Sequence, residues 1–420
     1  MASVKFEQSL RKYAETIVRV GLNLRPGQRL IINNASTRGV PVHVAPLVRE
    51  VTRVAYLAGA RYVDVIWNDE ALLRIRAQHA PADSFKEYSD WQIQGLMDNI
   101  KKGDAMLTIR SNNPDLLSDL DPERVGAMQQ THIENFNPVT QAVTSNEINW
   151  CVVSAASADW AAKIFPDLTR KQAEAKLWKA IFEITRVDQA DPVAAWEAHI
   201  QNLLKRTSYL NAKKYRRLKY TGPGTDLSVG LPPGHLWLAA REKARNGIEF
   251  IANLPTEEVF TLPHYAETEG TVRASMPLSY GGSLIEDFSL TLEKGRVVNA
   301  SAKKGEATLR KVVETDEGAG RFGEVALVPV SSPIARRGHL FYDALIDENA
   351  SCHFAVGRAY RVCMENTQGI SDEEFERRGG NLSMTHVDFM VGSDKLDIDG
   401  TREDGSVEPV MRRGEWAFEV

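Results

Sequence analysis

Cysteine is scarce in this chain: Cys151, Cys352 and Cys363 are the only three in 420 residues. So few and so scattered, they cannot form the disulfide framework of a secreted fold, and a reducing cytoplasm is the expected compartment. Long apolar runs are also missing. The N-terminal segment MASVKFEQSLRKYAETIVRVGL has no uninterrupted apolar core of the kind a signal peptide needs, and no stretch elsewhere is long enough to span a membrane. A net charge of −5 provides no basic field, so neither nucleic acid nor membrane is expected as a partner. There is no GxSxG elbow, no HExxH helix and no phosphate-binding glycine loop; the first strand-like run leads into NNASTRGVP instead. These absences count against a serine hydrolase, a helical zinc motif and a nucleotide-binding role.

What is present is ordinary in composition and structured in pattern. Hydrophobic residues make up 43% and charged residues 25%, as in soluble globular proteins. The length exceeds what one core usually organises, so two domains are expected. Phe6, Leu10, Tyr13, Ile17 and Val20 recur at helical spacing and predict an amphipathic helix. Four short apolar runs follow: LIIN (30–33), YVDVIW (62–67), AMLTIR (105–110) and WCVVSA (150–155). Amphipathic stretches lie between them, notably 41–58 and 89–101, each stopping near a glycine (Gly59, Gly103). That alternation predicts an α/β domain with a mostly parallel sheet over residues 1–210. Helical patterns dominate 158–209, and the basic run KKYRRLK (213–219) reads as a solvated face rather than an anion site. Residues 211–420 read as a β-rich α+β domain. DFSLTLEKGRVVNASA (287–302) predicts two strands joined at a Lys-Gly turn, and LDIDGTREDGSVEPVMRRGEWAF (396–418) predicts another strand pair.

Four segments of the second half concentrate groups that can bind metal: NLPTEEVFT (253–261), DEGAGRFGEVALV (316–328), DENASCHFAVGRAY (347–360) and HVDFMVG (386–392). Of the nine histidines, His43, His79, His132 and His199 sit in helical or surface contexts, and His235 and His264 stand beside prolines in loops. His386 is different. In an extended chain His386 and Asp388, two apart, point to one face and can grip one ion, although a surface hydrogen-bonded pair would look the same. Glu348 and His353 are candidates too, with helix capping by Asp347 or Asn349 and a buried, satisfied His353 as the alternative. Glu257 and Glu258 are neighbours that face opposite ways on an extended chain, so only one is an easy direct ligand. Glu324 lies inside an apolar run, where a carboxylate is neutralised by a metal, by an arginine such as Arg321, or by a raised pKa. Four acids and two histidines exceed the needs of one four-coordinate ion, so two ions sharing a carboxylate fit the inventory better.

Taken together, NLPTEEVFT, RASMPL (273–278), DEGAGRFGEVALV, DENASCHFAVGRAY and NLSMTHVDFMVG (381–392) resemble the aminopeptidase T/aminopeptidase S family of metallopeptidases, M29. The resemblance runs in order through the whole second half. It implies a two-domain, homodimeric, cytoplasmic exopeptidase that takes peptides with a free N-terminus and uses two divalent ions, zinc or cobalt first and manganese or magnesium next. By the same resemblance the metal positions fall on Glu258, Glu324, Glu348, His353, His386 and Asp388, and the tyrosine of GRAY on Tyr360. On this basis Glu324 is expected to bridge the ions around a shared hydroxide. Glu257 is expected to transfer protons and Tyr360 to stabilise the oxyanion. Two rival readings are a dinuclear amidase or phosphoesterase and a non-catalytic binding protein with a structural metal.

Overall fold

A computed structural model describes residues 2–420 apart from Ser36, Asn112, Gly281 and Gly282. Its contacts divide the chain into two compact units, Met1–His199 with Arg241–Pro255, and Ile200–Ala240 with Thr256–Val420. Where the sequence suggested one cut near 210, the contacts cut earlier and return 241–255 to the first unit. The reason is strand pairing: Asn253–Leu254 adds a fifth strand to the sheet of the first unit.

That sheet is wholly parallel. Its strands are β1 (Arg29–Asn33), β2 (Tyr62–Val65), β3 (Ala105–Arg110), β4 (Trp150–Ser154) and β5 (Asn253–Leu254), in the spatial order β5-β4-β3-β1-β2. The four apolar runs of the sequence supply β1 to β4, and central residues such as Leu30, Ile32, Leu107 and Cys151 are fully buried. Parallel strands covered on both faces need such continuous apolar runs. The helices Ala45–Leu57 and Asp90–Lys101 come to a stop just ahead of Gly59 and Gly103, both at positive φ. Helix Arg170–Ile184 begins with a capping box made by Thr169 and Gln172.

The second unit is built from two antiparallel sheets. The smaller has four strands, β6 (Val259–Thr261), β7 (Phe322–Leu327), β8 (His353–Gly357) and β9 (His386–Met390), hydrogen-bonded in that order. The larger has nine strands and includes the hairpin Ser283–Glu293/Arg296–Lys304, which turns at Lys294 and Gly295, both at positive φ. It also contains the pair Asp397–Thr401/Val407–Arg412. One face of the small sheet is aromatic: Phe322, Phe354 and Phe389 stack on one another and meet Phe288 and Tyr220 of the large sheet at 5.6 and 4.9 Å between ring centroids. Aromatic pairs of this kind add about 0.5–1.5 kcal/mol each beyond their burial. The basic run at 213–219 is neutralised within the unit, since Lys213 pairs with Glu408, Arg216 with Glu267 and Lys219 with Asp226.

Candidate metal centre

The face of the small sheet opposite the aromatics is polar, and strand alternation explains how one sheet carries both. In β9, His386, Asp388 and Met390 share one face while Val387 and Phe389 take the other. In β8, His353 and Ala355 lie on the polar face and Phe354 on the aromatic one. Strand β7 breaks the rule, because Phe322 and Glu324 have the same parity yet Phe322 stacks with the aromatics. The pairing with β8 slips by one residue between Phe322 and Glu324, a bulge centred on Gly323. Only glycine fits there: a Cβ would run into the carbonyl oxygens of Gly357 and Arg358. The slip sets Glu324 level with Ala355, which in turn is level with Asp388, so the two carboxylates flank a small side chain.

Two groups of potential ligand atoms result. Glu258, Glu324 and His353 bring one donor atom each within 4.8 Å of one another, and so do Glu324, His386 and Asp388. Glu324 belongs to both. His353 Nε2 is 3.0 Å from Glu258 Oε2 and 3.7 Å from Glu324 Oε1; His386 Nε2 is 3.4 Å from Glu324 Oε2 and 3.3 Å from Asp388 Oδ1. Arg321, the bland partner considered for Glu324, instead donates to the carbonyls of Tyr265 and Lys294.

The backbone fixes which nitrogen faces the acids. His353 Nδ1 donates to the Ser351 carbonyl at 3.0 Å, and His386 Nδ1 donates to the Arg358 carbonyl at 2.7 Å. Both rings therefore turn Nε2 toward the carboxylates, the arrangement that second-sphere carbonyls impose on metal-binding histidines. In a neutral ring that Nε2 carries a lone pair, which repels a carboxylate oxygen. Either a second ring proton or a metal cation between the atoms relieves the contact. Burial works against charged rings, yet Glu258 and Glu324 hold the His353 pKa well above its ordinary value, and Tyr360, Asp388 and Glu324 do the same for His386. Burial pushes the Glu258 carboxyl up. It also opposes charge on Glu324 and Asp388, but the facing imidazoles outweigh it and hold both below the usual range. Glu258 Oε2 is buried, and the charged or metal-bridged contact with His353 Nε2 at 3.0 Å is the only polar approach to it among the described residues. Buried carboxylates facing two imidazoles whose Nδ1 atoms are tethered form a donor set that fits divalent metal.

The other expected residues lie around this centre. Glu348 is in neither group but lines a cavity with His386 and Asp388. The Tyr360 ring is 4.7 Å from the His386 ring, and burial pushes its phenol pKa up. Glu257 is buried and its backbone N–H donates to Asn349 Oδ1 at 2.7 Å, which holds the strand entry that carries Glu258. Asp347, next to Glu348, braces the turn by accepting the backbone N–H groups of Phe341 and Asp343 at 2.7 and 3.1 Å. His235 and His264 are bonded within their own loops, to the Pro232 carbonyl and the Ala266 N–H. The Ser351 and Arg358 carbonyls are positioning groups that nothing in the sequence marks, and Asn349, considered as a helix cap, instead accepts the Glu257 N–H and donates to the Leu345 carbonyl.

The sequence profile of the family described as thermophilic metalloprotease (M29) matches residues 6–416. Aminopeptidase 2 of Geobacillus stearothermophilus is 44% identical over 416 residues, covering 99% of both chains. Aminopeptidase T of Thermus thermophilus is 44% identical over 412 residues, 98% of this chain and 99% of its own. The solved structure titled wild-type AmpT from Thermus thermophilus superposes with a TM-score of 0.92 at 42% identity, covering 98% of this chain and 100% of its own. With both its length and its architecture matched, the chain belongs to the thermophilic metalloprotease family M29.

Proposed function

We propose that this protein is a metal-dependent aminopeptidase that removes N-terminal residues from peptides at a centre for two divalent ions. The observation that carries the reading is the pair of ligand groups joined through one carboxylate, Glu324. The relatives matched over nearly their whole length are aminopeptidases by name. In this reading Glu258 and His353 would hold one ion and His386 and Asp388 the other, with Glu324 shared between the two groups and Glu348 available from the cavity lining beside the second. Oxygen and imidazole donors of this kind suit zinc or cobalt, and manganese or magnesium can occupy parts of the set.

Divalent ions held there would supply Lewis acidity for a carbonyl and would make water more acidic, chemistry that requires no side-chain nucleophile. The protein's own groups do the rest. Ser351 and Arg358 carbonyls keep both imidazoles aimed. Tyr360, whose phenol stays protonated at neutral pH, donates to the carbonyl oxygen as it gains charge. Glu257, beside Glu258, moves the proton to the leaving amine. No arginine or lysine is among the described residues lining the adjoining cavity, which disfavours a phosphate ester as substrate. We take the protein as a cytoplasmic homodimer; none of its cysteines is joined in a disulfide among the described residues, and none of its described helices is long and apolar enough to cross a membrane. The test is hydrolysis of an amino-acyl chromogenic amide with and without an N-terminal blocking group, before and after chelation. Cleavage only of the free-amine substrate, lost on chelation and restored by metal, is expected; equal cleavage of the blocked substrate would refute the exopeptidase reading.

A further inference from the structure

The cavity beside the second ligand group measures about 240 Å³. That is below the roughly 300–1,000 Å³ of sites that enclose drug-sized ligands, and it suits a single residue. Its lining combines apolar Pro277, Leu278, Leu340 and Met390 with acidic Asp343 and Glu348, and it includes His386 and Asp388 of the second ligand group. Strand geometry fixes the relation between wall and centre. Met390 follows His386 and Asp388 on the same face of β9, so an apolar side chain stands one step beyond the candidate ligand pair. The Pro277–Leu278 part of the lining is tied to that strand, since Ser275 N–H donates to the Met390 carbonyl at 2.8 Å just before it. The Leu340 part is braced as well: Asp347 caps the N–H groups of Phe341 and Asp343, steadying the turn that begins at Leu340.

We infer that this cavity seats the side chain of the substrate's N-terminal residue, selecting apolar side chains and rejecting acidic ones; the inference rests on the aminopeptidase reading. A leucine or methionine side chain would meet the Leu278, Leu340 and Met390 surfaces as it leaves water. An aspartate or glutamate side chain would meet Asp343 and Glu348 instead. No lysine or arginine is among the described lining residues to pair with it. Like charges and an unpaired buried carboxylate are the repulsive half of specificity.

The experiment compares Leu-, Phe- and Glu-p-nitroanilides on the metal-loaded full chain, with metal content and circular dichroism measured on the same preparations. Wild type is expected to prefer Leu over Glu by at least about 100-fold in kcat/KM. Leu340 is half-buried in an irregular segment, so it can be replaced without opening the core. Leu340→Arg should shrink the Leu-to-Glu ratio by at least about tenfold, mainly through a lower KM for Glu. Leu340→Ala should shift preference toward Phe as the wall recedes. Comparable wild-type rates for Leu and Glu would overturn the inference, as would unchanged ratios in folded, metal-replete variants. Failure of the wild type to cleave any of the three would instead sink the aminopeptidase reading on which the inference rests.

Discussion

The two ligand groups share Glu324 but differ in their surroundings. In the Glu258–Glu324–His353 group every residue is buried, and the His353 side chain is 1% exposed. In the Glu324–His386–Asp388 group both unshared side chains are 18% exposed and open onto the cavity. Closed sites hold an ion and open ones keep a position for substrate. On the proposed two-ion reading, the inner group would retain its ion and the outer group would exchange its ion and meet the substrate. Glu324 couples the two.

The strongest way to break this picture is through the shared carboxylate. Glu324→Gln should lower kcat by at least about 10³-fold, equivalent to roughly 4 kcal/mol, and reduce bound metal while circular dichroism stays native. Retention of both ions by a folded variant would show that Glu324 does not bridge. Next come the unshared histidines: His386→Ala should leave about one ion per chain, whereas His353→Ala, by emptying the inner group and leaving two buried acids facing each other, should also weaken the outer site. Identical metal contents in the two variants would erase the proposed asymmetry. Tyr360→Phe should cost about 10²-fold in kcat with little change in KM or metal content, as expected for a donor that acts on developing charge. The smallest effect concerns protons. Glu258 and Glu324 hold His353, and Tyr360 with Asp388 and Glu324 holds His386, well above the ordinary pKa; if each gives Nε2 to a metal as proposed, binding at neutral pH should release protons and apparent affinity should rise with pH. Calorimetry in buffers of different ionisation enthalpy measures that release.

How much of this was legible beforehand depends on the reach of each signal. The parallel sheet could be read because strands buried on both faces leave continuous apolar runs, as at 30–33 and 105–110. The hairpin at Lys294–Gly295 was visible from its turn residues. His386 and Asp388 could be placed on one face because a strand repeats every two residues. Glu324 stood out as a charge in an apolar run, but its true setting was hidden: Gly323 gives no sign in sequence of the bulge that separates Glu324 from Phe322. Nor could residue types show that Ser351 and Arg358 aim the imidazoles, since any residue supplies a carbonyl. The return of 241–255 to the first unit was equally hidden, because two residues of strand carry no periodicity to read.

Most of the account stands on there being two ions joined through Glu324, and titrating the fully chelated protein with zinc or cobalt, following bound metal and activity together, tests that most directly. The prediction is two ions per chain, the first bound without full activity and the second completing it. Saturation at a single ion with full activity, or full activity after exhaustive chelation, would contradict the two-ion centre.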